Sequence, residues 1–171
     1  LKIIEHAKNN RWPWVMVMED DCVAREAMQE WPMISAFLMQ EKDRWDLFFG
    51  GGLYLYPKKI EHDFKEQSHK NIKLVECDQV HATHFIIYHQ RSYDSLLAWH
   101  QWPLPLEQRL PIDVFIQGCQ LRKWVPFPFI AWQKSRHSST ANKFLDCDRS
   151  FKIAEQALDG FKTFLMLSSK K

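Results

Sequence analysis

Trp14-Val15-Met16-Val17-Met18-Glu19-Asp20-Asp21 is the stretch that decides the reading of this chain. Five consecutive apolar residues between Pro13 and three acids have the pattern of a strand buried on both faces, predicted to lie in the middle of a parallel or mixed sheet. Ligand sites in open α/β sheets form where strand ends meet loops, so the acids closing this strand are the first candidates for function. Three adjacent carboxylates repel one another unless a cation or a set of donors compensates. In an extended chain Glu19 and Asp21 project to one side and Asp20 to the other, so two carboxylates can reach a divalent ion and its bound diphosphate. Oxygen ligands favour Mg²⁺ or Mn²⁺ over zinc. A competing reading makes Asp20 or Asp21 the cap of a helix beginning near Val23, where a carboxylate accepts free backbone N–H groups.

Upstream, Ile3, Ile4 and Ala7 recur at helical spacing from Leu1 to Lys8, and Asn9-Asn10 supplies an end. Downstream, Pro32 opens a helix with Ile34, Phe37 and Leu38 on its apolar face. Asp46-Leu47-Phe48-Phe49 reads as a short strand running into Gly50-Gly51-Gly52, where the backbone can adopt positive φ. The Lys-, Glu- and His-rich region from Pro57 to Lys73 reads as a surface excursion. A strand pair follows over about 72–77 and 83–88. A helix from about Ser92 then carries Tyr93, Leu96, Leu97 and His100 on one side. Pro111 starts another helix, with Asp113 in its first turn. The stretch 124–130, restrained by Pro126 and Pro128, is predicted as an edge or irregular strand, and 133–142 as a loop. Phe151, Ala154, Leu158, Phe161 and Leu165 mark a final helix. That stripe suits a core, or a membrane surface met by Lys152 and Lys162.

The 171 residues, 46% hydrophobic and 14% aromatic, suffice for one α/β domain spanning the chain. The net charge of +2, from 23 basic and 21 acidic residues spread along the chain, lacks the basic patch of a nucleic-acid binder. Cys22, Cys77, Cys119 and Cys147 form no CxxC pair and read as reduced thiols. No apolar run approaches the roughly 20 residues needed to span a bilayer. The lack of an Asn-x-Ser/Thr sequon disfavours a secretory lumen. The expected location is cytoplasmic, with membrane association through the last helix as an added possibility.

The order apolar strand, Glu19-Asp20-Asp21, Cys22-Val23 resembles the acidic signature of glycosyltransferase family 25, the lipopolysaccharide and procollagen type. Asp46-Leu47-Phe48-Phe49-Gly50 is similar to that family's Asp-apolar-apolar-Gly strand, and 81–88 (HATHFIIY) to its small-Thr-x-aromatic strand. Pro111-Ile112-Asp113 matches its Pro-Ile-Asp step, and Pro128 to Gln133 followed by Ser138-Ser139 its closing segment. The similarity runs from Trp14 to Ser139 in matching order.

That resemblance implies a GT-A fold with a central, mostly parallel sheet flanked by helices. It also implies a metal-dependent, inverting hexosyltransferase that moves galactose or glucose from a UDP-sugar to a glycan or protein-linked hydroxyl, as in lipopolysaccharide biosynthesis. Asp21 would bind the metal, Mn²⁺ or Mg²⁺, with Glu19 beside it and His137 as a further ligand from a late loop. Glu19 and Asp20 would lie near donor ribose and phosphates, and Asp113 would be the base. From the residues themselves, Gly50, Gly51 and Gly52 either let backbone approach the donor sugar or acceptor or form an ordinary turn after the strand. His81 and His84 are structural or substrate-adjacent. GT-A enzymes carry more elements before the acidic motif than residues 1–18 supply, so part of the nucleotide-binding half is expected to be absent. Two other readings stand beside this one. One is a metal-dependent phosphoester hydrolase built on the carboxylates and eight histidines. The other is a non-catalytic sugar-recognition module stacking on Trp12, Trp14, Trp99, Trp102, Trp124 and Trp132.

Overall fold

The computed structural model describes residues 1–65, 70–138 and 143–168, with the side chains of 106, 136–138, 143, 145 and 162–168 outside that description. The chain runs α1 (Lys2–Asn9), β1 (Trp14–Met18), β2 (Cys22–Ala24), α2 (Trp31–Gln40), β3 (Leu47–Phe49), β4 (Leu53–Asp63), β5 (Lys73–His81) and β6 (Phe85–His89). It continues through α3 (Tyr93–His100), α4 (Ile112–Gly118), β7 (Lys123–Phe127), β8 (Ala131–Gln133), β9 (Arg136–Ser138), β10 (Lys143–Leu145) and α5 (Cys147–Ser168).

Six strands form one mixed sheet in the order β1-β6-β3-β7-β5-β4, while β2–β8 and β9–β10 are separate two-stranded pairs. Within the large sheet β3 and β7 are parallel and the other neighbours antiparallel. The α/β class holds, but the mostly parallel sheet does not. β4 and β5 form a direct antiparallel pair, and β6 inserts between β1 and β3 running against both.

Alternation along the strands divides the core between the two faces of the sheet. Leu47, Phe49, Val75, Cys77, Ile86, Tyr88 and Val125 pack with α1, α3, α4 and α5 through Ile4, Leu96, Ile116 and Phe151. Phe48, Leu74, Phe85, Ile87 and Trp124 pack on the other side with Ile34 and Leu38 of α2. The aromatic stripe of α5 belongs to this core through Phe151, Ala154 and Leu158, while the Leu165 side chain lies outside the described residues. Among the described residues no helix is long and apolar enough to cross a membrane.

Four strand assignments differ from expectation. β1 is an edge strand rather than a central one. Nor is it buried on both faces: Val15 and Val17 pack half-buried toward one core and Met16 toward the other, while Trp14 and Met18 are exposed. The expected excursion after Pro57 is strand β4, whose outer edge carries Lys58, Lys59 and Glu61. Such charges keep an edge from pairing with other chains. Segments 72–77 and 83–88 belong to β5 and β6, which are not neighbours. β7 is internal despite Pro126, because β3 pairs only with Lys123 and Trp124 and leaves Pro126 beside β5 alone.

The helix boundaries follow the local signals. α1 ends as Trp12 N–H reaches Ala7 O and Arg11 N–H reaches Lys8 O, with Arg11 left-handed at φ 54°. Pro32 sits in the first turn of α2. Segment 133–142, expected as loop, contains β9. All four cysteines are free.

Candidate functional site

The acids after β1 do not continue an extended chain. Cys22 N–H donates to Glu19 O at 3.1 Å and closes a turn, so the expected alternation of Glu19 and Asp21 on one side is replaced by turn geometry. No helix begins at Val23. β2 pairs antiparallel with β8, Cys22 opposite Gln133, which removes the helix-cap explanation of Asp20 and Asp21.

This turn is anchored from two directions. Glu19 N–H donates to His84 O at 2.9 Å, and Thr83 Oγ1 donates to Glu19 Oε1 at 2.6 Å. Asp21 is 7% exposed; its Oδ2 accepts from Gln133 Nε2 at 2.9 Å and its carbonyl from Lys134 N–H at 2.8 Å. Asp20 is exposed. Beneath the turn His84 is fully buried, its Nε2 lying 3.3 Å from Ala131 O and its ring edge-on to Phe151. Burial pushes the His84 imidazole below the usual histidine range, against the opposing hydrogen bond to Ala131 and charge of Asp21, which favours the neutral ring.

Between β5 and β6, Ala82 has φ 139°, a conformation an L side chain rarely adopts. His81 and His84 flank this break in different surroundings. His81 is half-buried, and its Nε2 lies 2.9 Å from Oδ2 of Asp113 in the first turn of α4. Asp113 Oδ1 accepts from Val114 N–H at 2.9 Å. The hydrogen bond from His81 holds the Asp113 carboxyl below its usual range, against burial; the same bond holds the His81 imidazole above its own.

Glu19 and Thr83 line one side of a cavity of about 350 Å³, and Tyr88, Trp99, His100 and Ile112 line the other parts of its wall. Ile112 immediately precedes Asp113, and Thr83 lies two residues beyond His81. Of the acidic turn Glu19 alone lines this cavity, together with the entry to β6 and the start of α4; Asp20, Asp21, His81 and Asp113 are not part of its wall. Sequence reasoning singled out Glu19 and Asp113. It missed the two contacts that link them to the rest, Thr83 on Glu19 and His81 on Asp113, although both residues lay in the 81–88 stretch.

Gly50 and Gly51 have a packing role. No glycine has positive φ among the described residues, and neither Gly50 nor Gly51 lines the cavity. A Cβ on Gly50 would meet the Phe85 ring at 2.7 Å, and one on Gly51 the Ala131 carbonyl at 2.3 Å. Asp46, the first residue of another motif, binds Arg91 and Arg122 at the opposite end of β3. The side chain of His137 and all of Ser139 lie outside the described residues, so the expected late ligand has no described position. Of the six tryptophans considered for stacking, Trp99, Trp124 and Trp132 are buried and offer no shared surface with Trp12, Trp14 and Trp102.

The donor set of the turn is all oxygen: three carboxylates, with Thr83 donating to Glu19 and Gln133 to Asp21. Among the described residues no three His, Cys, Asp or Glu side chains converge as a cation-holding group. Such a set fits a hard divalent ion that takes one or two ligands from protein and the rest from phosphate and water. No family model matches the chain, and no curated protein matches it.

Proposed function

We propose that this chain is a glycosyltransferase that transfers a hexose, galactose or glucose, from a UDP-sugar to a hydroxyl of a glycan or glycoprotein, with inversion and with a divalent metal. The observation that carries the reading is the single cavity whose wall joins Glu19 and Thr83 to Ile112, the neighbour of Asp113. A donor diphosphate at the acidic turn and an acceptor hydroxyl at the start of α4 would then lie on either side of one space. The ordered resemblance of five short motifs to glycosyltransferase family 25 supports the same assignment, and a GT-A-like arrangement of the mixed sheet belongs to it.

On this reading Asp21, with Glu19 beside it, would hold Mn²⁺ or Mg²⁺, and Asp20 would lie near the donor ribose and phosphates. When bound, the ion neutralises charge that builds on the leaving nucleotide. The protein's own contribution is positioning. Thr83 fixes the Glu19 carboxylate, and Gln133 fixes that of the buried Asp21. The proton of the acceptor hydroxyl is taken on the α4 side, where Asp113 and its imidazole partner stand.

Calorimetric titration with UDP tests the assignment. Binding is expected in Mn²⁺ and not in its absence, and is expected to be lost in Asp20→Asn and Asp21→Ala chains whose circular dichroism matches the parent. Asp20 is exposed, so its substitution separates ligand binding from folding. UDP binding that ignores Mn²⁺, or that survives both substitutions, overturns the reading.

A further inference from the structure

The expected base, Asp113, is poorly prepared to take a proton by itself. One of its oxygens accepts Val114 N–H and the other accepts His81 Nε2–H, at 2.9 Å each. Each bond favours the ionised carboxylate over the protonated acid. The imidazole, in contrast, is well placed. Donation from Nε2 leaves the Nδ1 lone pair as the acceptor of a neutral ring. His81 and Asp113 both keep about a quarter of their side chains exposed, so a substrate hydroxyl can approach. The ring is held on two sides, by Asp113 from α4 and by an edge-on Tyr54 from β4 at 5.7 Å between centroids. Asp113 is the charged group acting on it. The unusual backbone at Ala82 lies between this ring and Thr83, which binds Glu19. Strained backbone of this kind persists where surrounding structure over-determines it, and such residues cluster at functional sites.

We infer that His81 is the proton acceptor of the transfer reaction and that Asp113 orients it, a carboxylate–imidazole pair two residues along the chain from Thr83, which binds Glu19 of the acidic turn. The inference rests on the transferase reading. As the acceptor oxygen forms its bond to the anomeric carbon, its O–H bond breaks and the proton passes to Nδ1 of His81. The bond from the anomeric carbon to the donor diphosphate breaks, and its electron pair leaves on UDP. The carboxylate of Asp113 stabilises the imidazolium that results, the division of labour seen wherever a buried or half-buried acid supports a histidine base. With water as acceptor the same step releases free hexose and UDP.

The test uses the full chain, Mn²⁺, and UDP-glucose or UDP-galactose, with UDP release as the measured rate. His81→Asn is expected to lower kcat by about 100-fold or more while leaving Mn²⁺–UDP affinity within about twofold. The wild-type rate is expected to rise with pH along a limb set by the imidazole. That limb is expected to vanish in His81→Asn and to move to lower pH in Asp113→Asn, because loss of the carboxylate lowers the imidazole pKa. Titration of the His81 ring by NMR, in wild type and Asp113→Asn, follows the pair without turnover. The same downward shift is expected there, and an unmoved ring overturns the pairing. Undiminished UDP release in His81→Asn, or a pH limb unchanged by that substitution, overturns the assignment of the proton and leaves the transferase reading standing. A wild-type chain that neither binds Mn²⁺–UDP nor releases UDP overturns both.

Discussion

Gln133 Nε2 donates to Asp21 Oδ2 at 2.9 Å across 112 positions of sequence. The contact exists because β2 pairs with β8 and sets Cys22 opposite Gln133, bringing the acidic turn against the last residue of a distant strand. Two motifs that the sequence presents as separate are thus one piece of structure, with the Asp21 carboxylate held in a nearly closed setting.

Replacing Gln133 by Leu removes the donor and leaves a buried carboxylate short of one hydrogen bond. The expected loss of stability is about 1–3 kcal/mol, measured by urea unfolding. Mn²⁺-dependent UDP binding is expected to weaken alongside, since the carboxylate can turn away. A Gln133→Leu chain as stable as the parent would show that the bond contributes nothing in solution.

Gly51 lies where β3 ends against Ala131, and an added Cβ would stand 2.3 Å from the Ala131 carbonyl. Backbone cannot yield as a flexible side chain does. Gly51→Ala is expected to lower stability by about 3 kcal/mol, with a matching fall in Tm by calorimetry. Gly118→Ala serves as the control, because a Cβ there would meet nothing within 4 Å beyond its own helix and chain neighbours.

Asp46 is expected to contribute to acid stability. Burial pushes its carboxyl upward, but hydrogen bonds from the Arg122 side chain and backbone and from Arg91 outweigh burial and hold it at about 2. A folded-state value depressed below the unfolded one stabilises the protein above the unfolded pKa, about 3.9 for Asp. That contribution is lost as pH falls from there through about 2. The shift corresponds to about 2 kcal/mol. Asp46→Asn is expected to be less stable than wild type by that amount near neutral pH, with the gap narrowing as acid is added. Chemical denaturation at several pH values measures it, and a gap that stays constant into acid would show that other groups carry the acid transition.

Much of the local structure was legible along the chain. The helix after Pro32, the short strand from Leu47, the helices from Tyr93 and Ile112 and the last helix all lie where apolar spacing and prolines indicated. Strand order was not legible. Trp14 to Met18 reads as central because all five residues are apolar, yet its ends are exposed and nothing in an apolar run reports whether a neighbour pairs on each edge. Pro126 argues for an edge and is internal, because the neighbouring β3 is too short to reach it. The charged part of β4 from Pro57 onward reads as a surface excursion, although Leu53, Tyr54, Leu55 and Tyr56 just before it alternate between half-buried and exposed.

The site was half legible. Glu19, Asp21 and Asp113 stood out because acids at a strand end or in a first helical turn need compensation. What compensates them could not be read. Thr83, Gln133 and His81 are ordinary polar residues until β6, β8 and α4 bring them to the carboxylates.

The sequence by itself determined where strands and helices begin, which faces are apolar, and that an acidic trio closes the first strand, because these follow from side-chain periodicity and backbone chemistry within a few residues. Tertiary structure alone decided that the trio forms a turn and that His81 meets Asp113. It also decided that Gly50 and Gly51 are small for want of space. Each of these depends on which strand lies beside which, and hydrogen bonds between distant segments leave no trace in local spacing.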